Sequence, residues 1–211
     1  MPETDRLSGC IDWIDLEFVE KEETPQPLMK LSIELHVAGL SLRDTVSILE
    51  RFGVERARST VHNWVQKADL QPAAGRSPDQ VAVDETVINL NNDRYWLFAA
   101  VDPETNLFLH VKLSPTRNEW TTLQFFRELR ERHDVDEATF LVDNSWTLQN
   151  TLDRLGLRFQ YVRHGNRNAV ERIFKELKRR TEQFANHFRN ASHASAENWL
   201  QAFAAHQNQL I

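Results

Sequence analysis

The 211-residue sequence predicts an α/β fold: a mixed five-stranded sheet with helices, preceded by an all-α module. Two patterns carry this. Apolar residues recur at helical spacing in three short runs over 28–68, and from residue 81 onward strand-like apolar runs alternate with helical ones. A third observation concerns chemistry. Asp84 and Asp143 each stand within or at the end of an apolar strand run, where an isolated carboxylate is costly.

The first helix of the module follows Pro25 and Pro27, repeats Leu28, Leu31, Leu35 and Ala38, and stops at Gly39. The second opens on Ser41-Leu42-Arg43-Asp44, a capping pattern, and runs through Val46 and Leu49 to Gly53. For the third, Ser59 or Thr60 is the expected cap, with Val61, Trp64, Val65 and Ala68 inward. Three helices in this compass suggest a helix-turn-helix, whose last helix would offer Thr60, His62, Asn63 and Lys67 to the major groove. A small bundle whose polar face meets only water is the alternative the pattern leaves open.

Residues 69–80 carry Pro72, Gly75 and Pro78 without periodicity and read as a linker. Next come strand runs at Val81–Leu90, Tyr95–Asp102 and Leu107–Leu113, joined by the turn sequences Asn91-Asn92-Asp93 and Asp102-Pro103-Glu104-Thr105-Asn106. In the third run Leu107, Leu109, Val111 and Leu113 alternate with Phe108, His110 and Lys112. A helix over Glu119–His133 is expected to turn Trp120, Leu123, Phe126 and Leu129 inward. Strand Thr139–Asp143 follows, then a short helix (Leu148, Leu152, Leu155), a strand (Leu157, Phe159, Tyr161) and a long helix (Val170 to Phe188). The order β-β-β-α-β-α-β-α is that of a ribonuclease H-like domain, here 81–211.

Composition is that of a globular chain, 41% hydrophobic and 27% charged with 6 Gly and 7 Pro, which excludes disordered and collagen-like classes. No run approaches the ~18 apolar residues of a membrane span. The single cysteine, Cys10, excludes an intrachain disulfide and a Cys-rich zinc site, and suits a reducing compartment. The opening Met1-Pro2-Glu3-Thr4-Asp5 lacks signal-peptide character, so a cytoplasmic location is expected. The net charge of −6 is local: residues 1–24 hold eight acids against two bases, so the remaining chain sums to zero. The acidic segment 1–27 also holds Ile11, Trp13, Ile14, Leu16, Phe18 and Val19, and could pack on the body of the protein or on another subunit. Over 163–180 seven Arg and Lys face two Glu, a local charge of +5 suited to phosphates.

With oxygen-only ligation, Asp84 and Asp143 on neighbouring strands would suit Mg²⁺ or Mn²⁺. Glu171 begins the last helix, where it completes a capping arrangement with Asn168 and, in this fold, approaches the same place. Lys175 and Lys178 share its helical face, either as ion-pair partners or as grips on a DNA backbone. Asp93 and Asp102 read as turn residues, and Asp134 and Asp136 as a polar connection. His110 and His164 lack a Ser or Cys nucleophile motif, no glycine-rich phosphate loop exists, and Trp96, Trp120, Trp146 and Trp199 are expected in the core.

Val83-Asp84-Glu85-Thr86, Tyr95-Trp96-Leu97 with Val101-Asp102, Leu141-Val142-Asp143, and Asn168-Ala169-Val170-Glu171-Arg172 with Leu177-Lys178-Arg179-Arg180 resemble the DDE transposases of insertion-sequence family six, the IS-six family. Ser41-Leu42-Arg43 and Ser59-Thr60-Val61-His62-Asn63-Trp64-Val65 resemble its helix-turn-helix. The likeness spans residues 28–211 and is nearest to the short haloarchaeal forms. It implies a metal-dependent DNA strand transferase with catalytic, metal-holding Asp84, Asp143 and Glu171, two Mg²⁺ or Mn²⁺ ions, and Lys178 as the downstream lysine. Arg43, Ser59, Thr60, His62, Asn63, Lys67, Lys175 and Lys178 would bind DNA, both terminal inverted repeats and target. A homodimer or larger assembly would hold two ends together, in the nucleoid. Two departures stand out: Asp143 and Glu171 lie closer together than in most of the family, and Asn144 stands where Gly is common. An inactive, transposase-derived DNA-binding regulator is the competing reading, and a ribonuclease H-type nuclease a third.

Overall fold

The computed structural model describes residues 11–18, 24–162, 175, 188 and 191–211. Three helices come first: α1 (Gln26–Val37), α2 (Leu42–Arg51) and α3 (Arg58–Ala68). Ser41 caps α2 as expected, accepting the Asp44 N–H at 3.1 Å. At α3 the expectation fails. The N-cap is Ala57, which has no side-chain acceptor, and Ser59 and Thr60 lie inside the first turn, so the helix starts at Arg58.

The sheet is built from β1 (Gln80–Leu90), β2 (Asp93–Val101), β3 (Phe108–Ser114), β4 (Thr139–Val142) and β5 (Phe159–Tyr161), in the order β3-β2-β1-β4-β5. β1, β2 and β3 pair antiparallel, and β4 is parallel to both β1 and β5. This mixed order defines a ribonuclease H-like domain. Asn91 and Asn92, at φ 53° and 73°, make the two-residue hairpin between β1 and β2, a conformation Asn tolerates better than most residues. Asp102 opens the next turn, its carboxylate accepting from Glu104 N–H at 2.9 Å and from the Thr105 hydroxyl at 2.7 Å.

A register shift in the β2–β3 pairing between Ala100 and Val101 breaks the expected alternation in β3. Phe108, Val111 and Leu113 join one side of the sheet, while Leu109 joins the other. Helices α4 (Glu119–Arg132) and α5 (Trp146–Arg154) cover the Leu109 side with Phe125, Phe126, Leu129, Leu148 and Leu152. In α4 the inward stripe runs through Thr122, Phe125, Phe126 and Leu129, which turns Trp120 out to 64% exposure. Trp146, also expected in the core, is 72% exposed, whereas Trp199 is buried and Trp96 packs at the cluster's edge.

The opposite side carries α6 (His193–Gln209), a helix without counterpart among the sequence expectations. It buries Trp199, Leu200 and Phe203 and lays polar side chains on the outer edge of β3. Asn208 both accepts from Phe108 N–H (2.8 Å) and donates to its carbonyl (2.9 Å), Glu197 accepts from Leu113 N–H at 3.0 Å, and Gln201 donates to the Val111 carbonyl. An edge that would otherwise offer free backbone groups is thereby closed.

Ile33, Leu49 and Trp64 of the helical module, Phe203 of α6, and Ala82, Leu97 and Leu141 of the sheet belong to one buried cluster. The segment 69–80 is tied to α4 and β4 rather than slack: Gly75 N–H donates to Arg132 O and Thr139 N–H to Asp79 O. The described part of the acidic leader, residues 11–18, packs on the body of its own chain. Ile11, Ile14 and Leu16 are buried, and the Trp13 indole N–H donates to Glu34 Oε2 at 3.0 Å while His206 Nε2 meets Glu34 Oε1 at 3.0 Å. The expected long helix over 170–188 lies outside the described residues, apart from Lys175 and Phe188. Among the described residues no helix is long and apolar enough to cross a membrane.

Because the cluster is common to both groups of elements, Ile33→Ala and Phe203→Ala are each expected to lower the stability of the whole chain by about 2–5 kcal/mol. Urea unfolding followed by circular dichroism and by tryptophan fluorescence should give one coincident transition, shifted in both variants. Two separate transitions, with Ile33→Ala moving only one, would contradict it.

Candidate active site

β1 lies between β2 and β4, and its parallel pairing sets Ala82 opposite Leu141. Both side chains enter the cluster shared with the helical module. Side chains alternate along a strand, so two residues further on Asp84 and Asp143 stand level with each other on that same side. Each carboxylate is oriented by nearby backbone. Asp84 Oδ1 accepts from Glu85 N–H at 2.9 Å, and Asp143 Oδ1 accepts from Ser145 N–H at 2.8 Å, closing a tight turn as the chain leaves β4. Gln149 of α5 donates to the Asp143 carbonyl at 2.8 Å and holds that turn from the other end.

Glu85, which the sequence reading passed over, is the buried centre of this arrangement. By alternation it faces the α4–α5 side, and its side chain is only 4% exposed. Its Oε1 accepts from Arg117 at 2.8 Å and from the Ser145 hydroxyl at 3.1 Å, while Oε2 is buried with no hydrogen-bond partner. Desolvation, followed by the negative charge of Asp143, raises the Glu85 pKa above its ordinary value; Arg117 opposes the shift. The Arg117 guanidinium lies 4.6 Å from the centre of the Trp96 ring, so one cation is held by a carboxylate and a π-face together. A signal for Glu85 was available: two acids in tandem on a strand must point to opposite sides, and Val81 and Val83 had marked the Glu85 side as core.

Of the sequence-predicted residues, the β1–β4 register sets Asp84 and Asp143 level with each other. Glu171 and Lys178 lie outside the described residues, and Lys175 is helical and exposed. Among the described residues no group of three His, Cys, Asp or Glu side chains is arranged to hold a metal ion. On the helical module Arg43, Ser59, Asn63 and Lys67 are exposed, while Thr60 and His62 are half-buried. Lys67 Nζ sits 5.3 Å above the Phe18 ring of the acidic leader. Arg58 is exposed at the start of α3, which begins one residue before the predicted cap at Ser59 or Thr60.

A DDE domain profile of the IS240 transposase type matches residues 78–210, the stretch that holds the whole sheet and both carboxylates. The chain belongs to this DDE transposase family. It is 30% identical over 176 residues to the uncharacterized protein MJ0017 of Methanocaldococcus jannaschii, with 82% of each chain covered. Among solved structures it is similar to the HTLV-2 integrase catalytic core domain in complex with magnesium, at 16% identity and TM-score 0.43, covering 59% of this chain and 85% of that one. It is also similar to the BIV integrase catalytic core, at 17% identity and TM-score 0.44, covering 60% and 82%.

Arg117→Ala is expected to lower the unfolding free energy by about 1–2 kcal/mol at about pH 7, a modest figure because water partly screens the guanidinium. The Glu85 pKa is already raised, so Glu85 takes up a proton before an ordinary carboxylate would as pH falls, and the loss should shrink at acid pH. Glu85→Gln added to Arg117→Ala should restore most of the stability at neutral pH. Urea titrations of the three proteins check this; an equal loss at both pH values would contradict a buried charge held by Arg117.

Proposed function

We propose that the chain cuts DNA at the ends of a mobile element and joins the freed ends to target DNA, in a reaction that depends on Mg²⁺ or Mn²⁺. The observation that carries this reading is the parallel register of β1 and β4, Ala82 opposite Leu141, which by extension sets Asp84 of β1 level with Asp143 just past the end of β4, within a DDE-family domain. Their donor set fits such a cation. Both side chains offer only oxygen, both are half-buried, and each accepts a nearby backbone N–H that orients it. Glu171 is proposed as the third ligand. Two bound ions would supply an activated water and charge stabilisation at the leaving 3′-oxygen.

The chain's own residues do the rest. Glu85 and Gln149 brace the 143–145 turn through the Ser145 hydroxyl and the Asp143 carbonyl, and so hold the backbone that carries the Asp143 carboxylate. Lys175 and Lys178 are proposed to bind the phosphates on either side of the reacting one. On α3, Arg58, Ser59, Thr60, His62, Asn63 and Lys67 are proposed to meet the terminal inverted repeats, with Arg43 of α2 on a nearby phosphate. At least two copies would be needed to hold two ends. The chemistry would place the protein on the nucleoid.

The test uses the purified chain, labelled DNA copied from the two flanks of its coding sequence, and a plasmid target, in Mn²⁺ and in EDTA. Joined products are expected only with metal. Asp84→Asn and Asp143→Asn should each abolish joining while end binding persists; Asn63→Ala should weaken end binding instead. End binding without cleavage or joining by the unaltered chain would favour the DNA-binding regulator.

A further inference from the structure

Trp146 is the most exposed of the large apolar side chains among the described residues, at 72%. It is the first residue of α5, whose inward positions Leu148, Thr151 and Leu152 are filled, so the indole forms no part of the core. Exposure alone is ordinary. Its placement is not. Trp146 follows Ser145, whose N–H is bonded to Asp143 and whose hydroxyl is bonded to Glu85, and it precedes Gln149, which holds the Asp143 carbonyl. Three hydrogen bonds around the carboxylate site therefore fix the backbone that carries a solvent-facing indole. Glu85 is anchored in turn by Arg117, itself against Trp96, so the support extends across three strands.

Trp146 follows Asp143 by three residues, at the point where the chain leaves the end of β4 and enters α5, so it stands beside the end of the sheet where a phosphate held at Asp84 and Asp143 would lie. Within a duplex the base faces are covered by their neighbours. An indole can stack on one only after the base has left its pair, and every base has a π-face to offer. We propose that Trp146 is a positioning residue that stacks on the base flanking the scissile phosphate once that base is unpaired. Strand opening at the DNA end would thus be coupled to placement of the phosphate. This inference rests on the strand-transfer reading above, and its test separates the two.

The test uses end DNA carrying 5-iododeoxyuridine at the flanking position, a base that cross-links on irradiation to an aromatic ring stacked on it. With Asp84→Asn protein the DNA stays intact, and the cross-link should map to Trp146 by peptide mass spectrometry. It should vanish in Asp84→Asn/Trp146→Ala. In Mn²⁺, Trp146→Ala should cleave fully paired ends about tenfold more slowly, Trp146→Phe should retain most of the rate, and a mismatch at the flanking pair should recover much of the loss in Trp146→Ala. Cleavage of paired ends by Trp146→Ala at the unaltered rate, a cross-link mapped elsewhere, or a change of assembly state in Trp146→Ala would overturn the inference. A cross-link at Trp146 in a chain that never cleaves would instead overturn the strand-transfer reading and leave the stacking contact standing.

Discussion

The parallel pairing of β1 with β4 is the constraint on which the rest depends. Parallel neighbours cannot be joined by a hairpin, and the connection from β1 to β4 here consists of β2, β3 and α4. That long connection gives β1 neighbours on both edges and makes it the centre of the sheet. It also sets Ala82 beside Leu141, so that carboxylates two residues further along come level where β4 ends. A one-residue slip of the same pairing would send Asp143 to the α4–α5 side and separate the two acids.

Such a site needs support against its own charge. Burial raises the pKa of Glu85 most, and the negative charges of Asp143 and, less strongly, Asp84 add to it. Arg117 supplies the opposing charge from the loop between β3 and α4, and its seat on Trp96 orients the guanidinium. Ser145 then ties Glu85 to the turn that carries Asp143. On the other side of the sheet α6 closes the β3 edge, and the helical module, the leader and α6 meet in one cluster. Position at the carboxylates is thus backed by packing that reaches the opposite end of the sequence.

The sheet was legible from sequence because its strands are written plainly: branched and aromatic runs separated by Asn-Asn and Asp-Pro turns. Asp84 and Asp143 stood out because each broke such a run. Trp120 and Trp146 misled because apolar character was equated with burial; on α4 the stripe through Thr122, Phe125, Phe126 and Leu129 excludes Trp120. Helix α6 was hidden by its composition. Ala202, Ala204, Ala205 and His206 are buried together with Trp199 and Phe203, so little of its surface carries the one-sided pattern that announces a helix. The bulge in β3 left no mark in the sequence, since Phe108 and Leu109 are both apolar and only the pairing shows which of them changes sides.

Whether Asp84 and Asp143 hold one cation between them is best read from anomalous scattering of crystals of the chain soaked in Mn²⁺. A manganese peak contacting both carboxylates, absent from crystals of Asp84→Asn, is the expected result. Manganese bound elsewhere in the chain, with none at this pair, would contradict the placement of the reaction at β1 and β4.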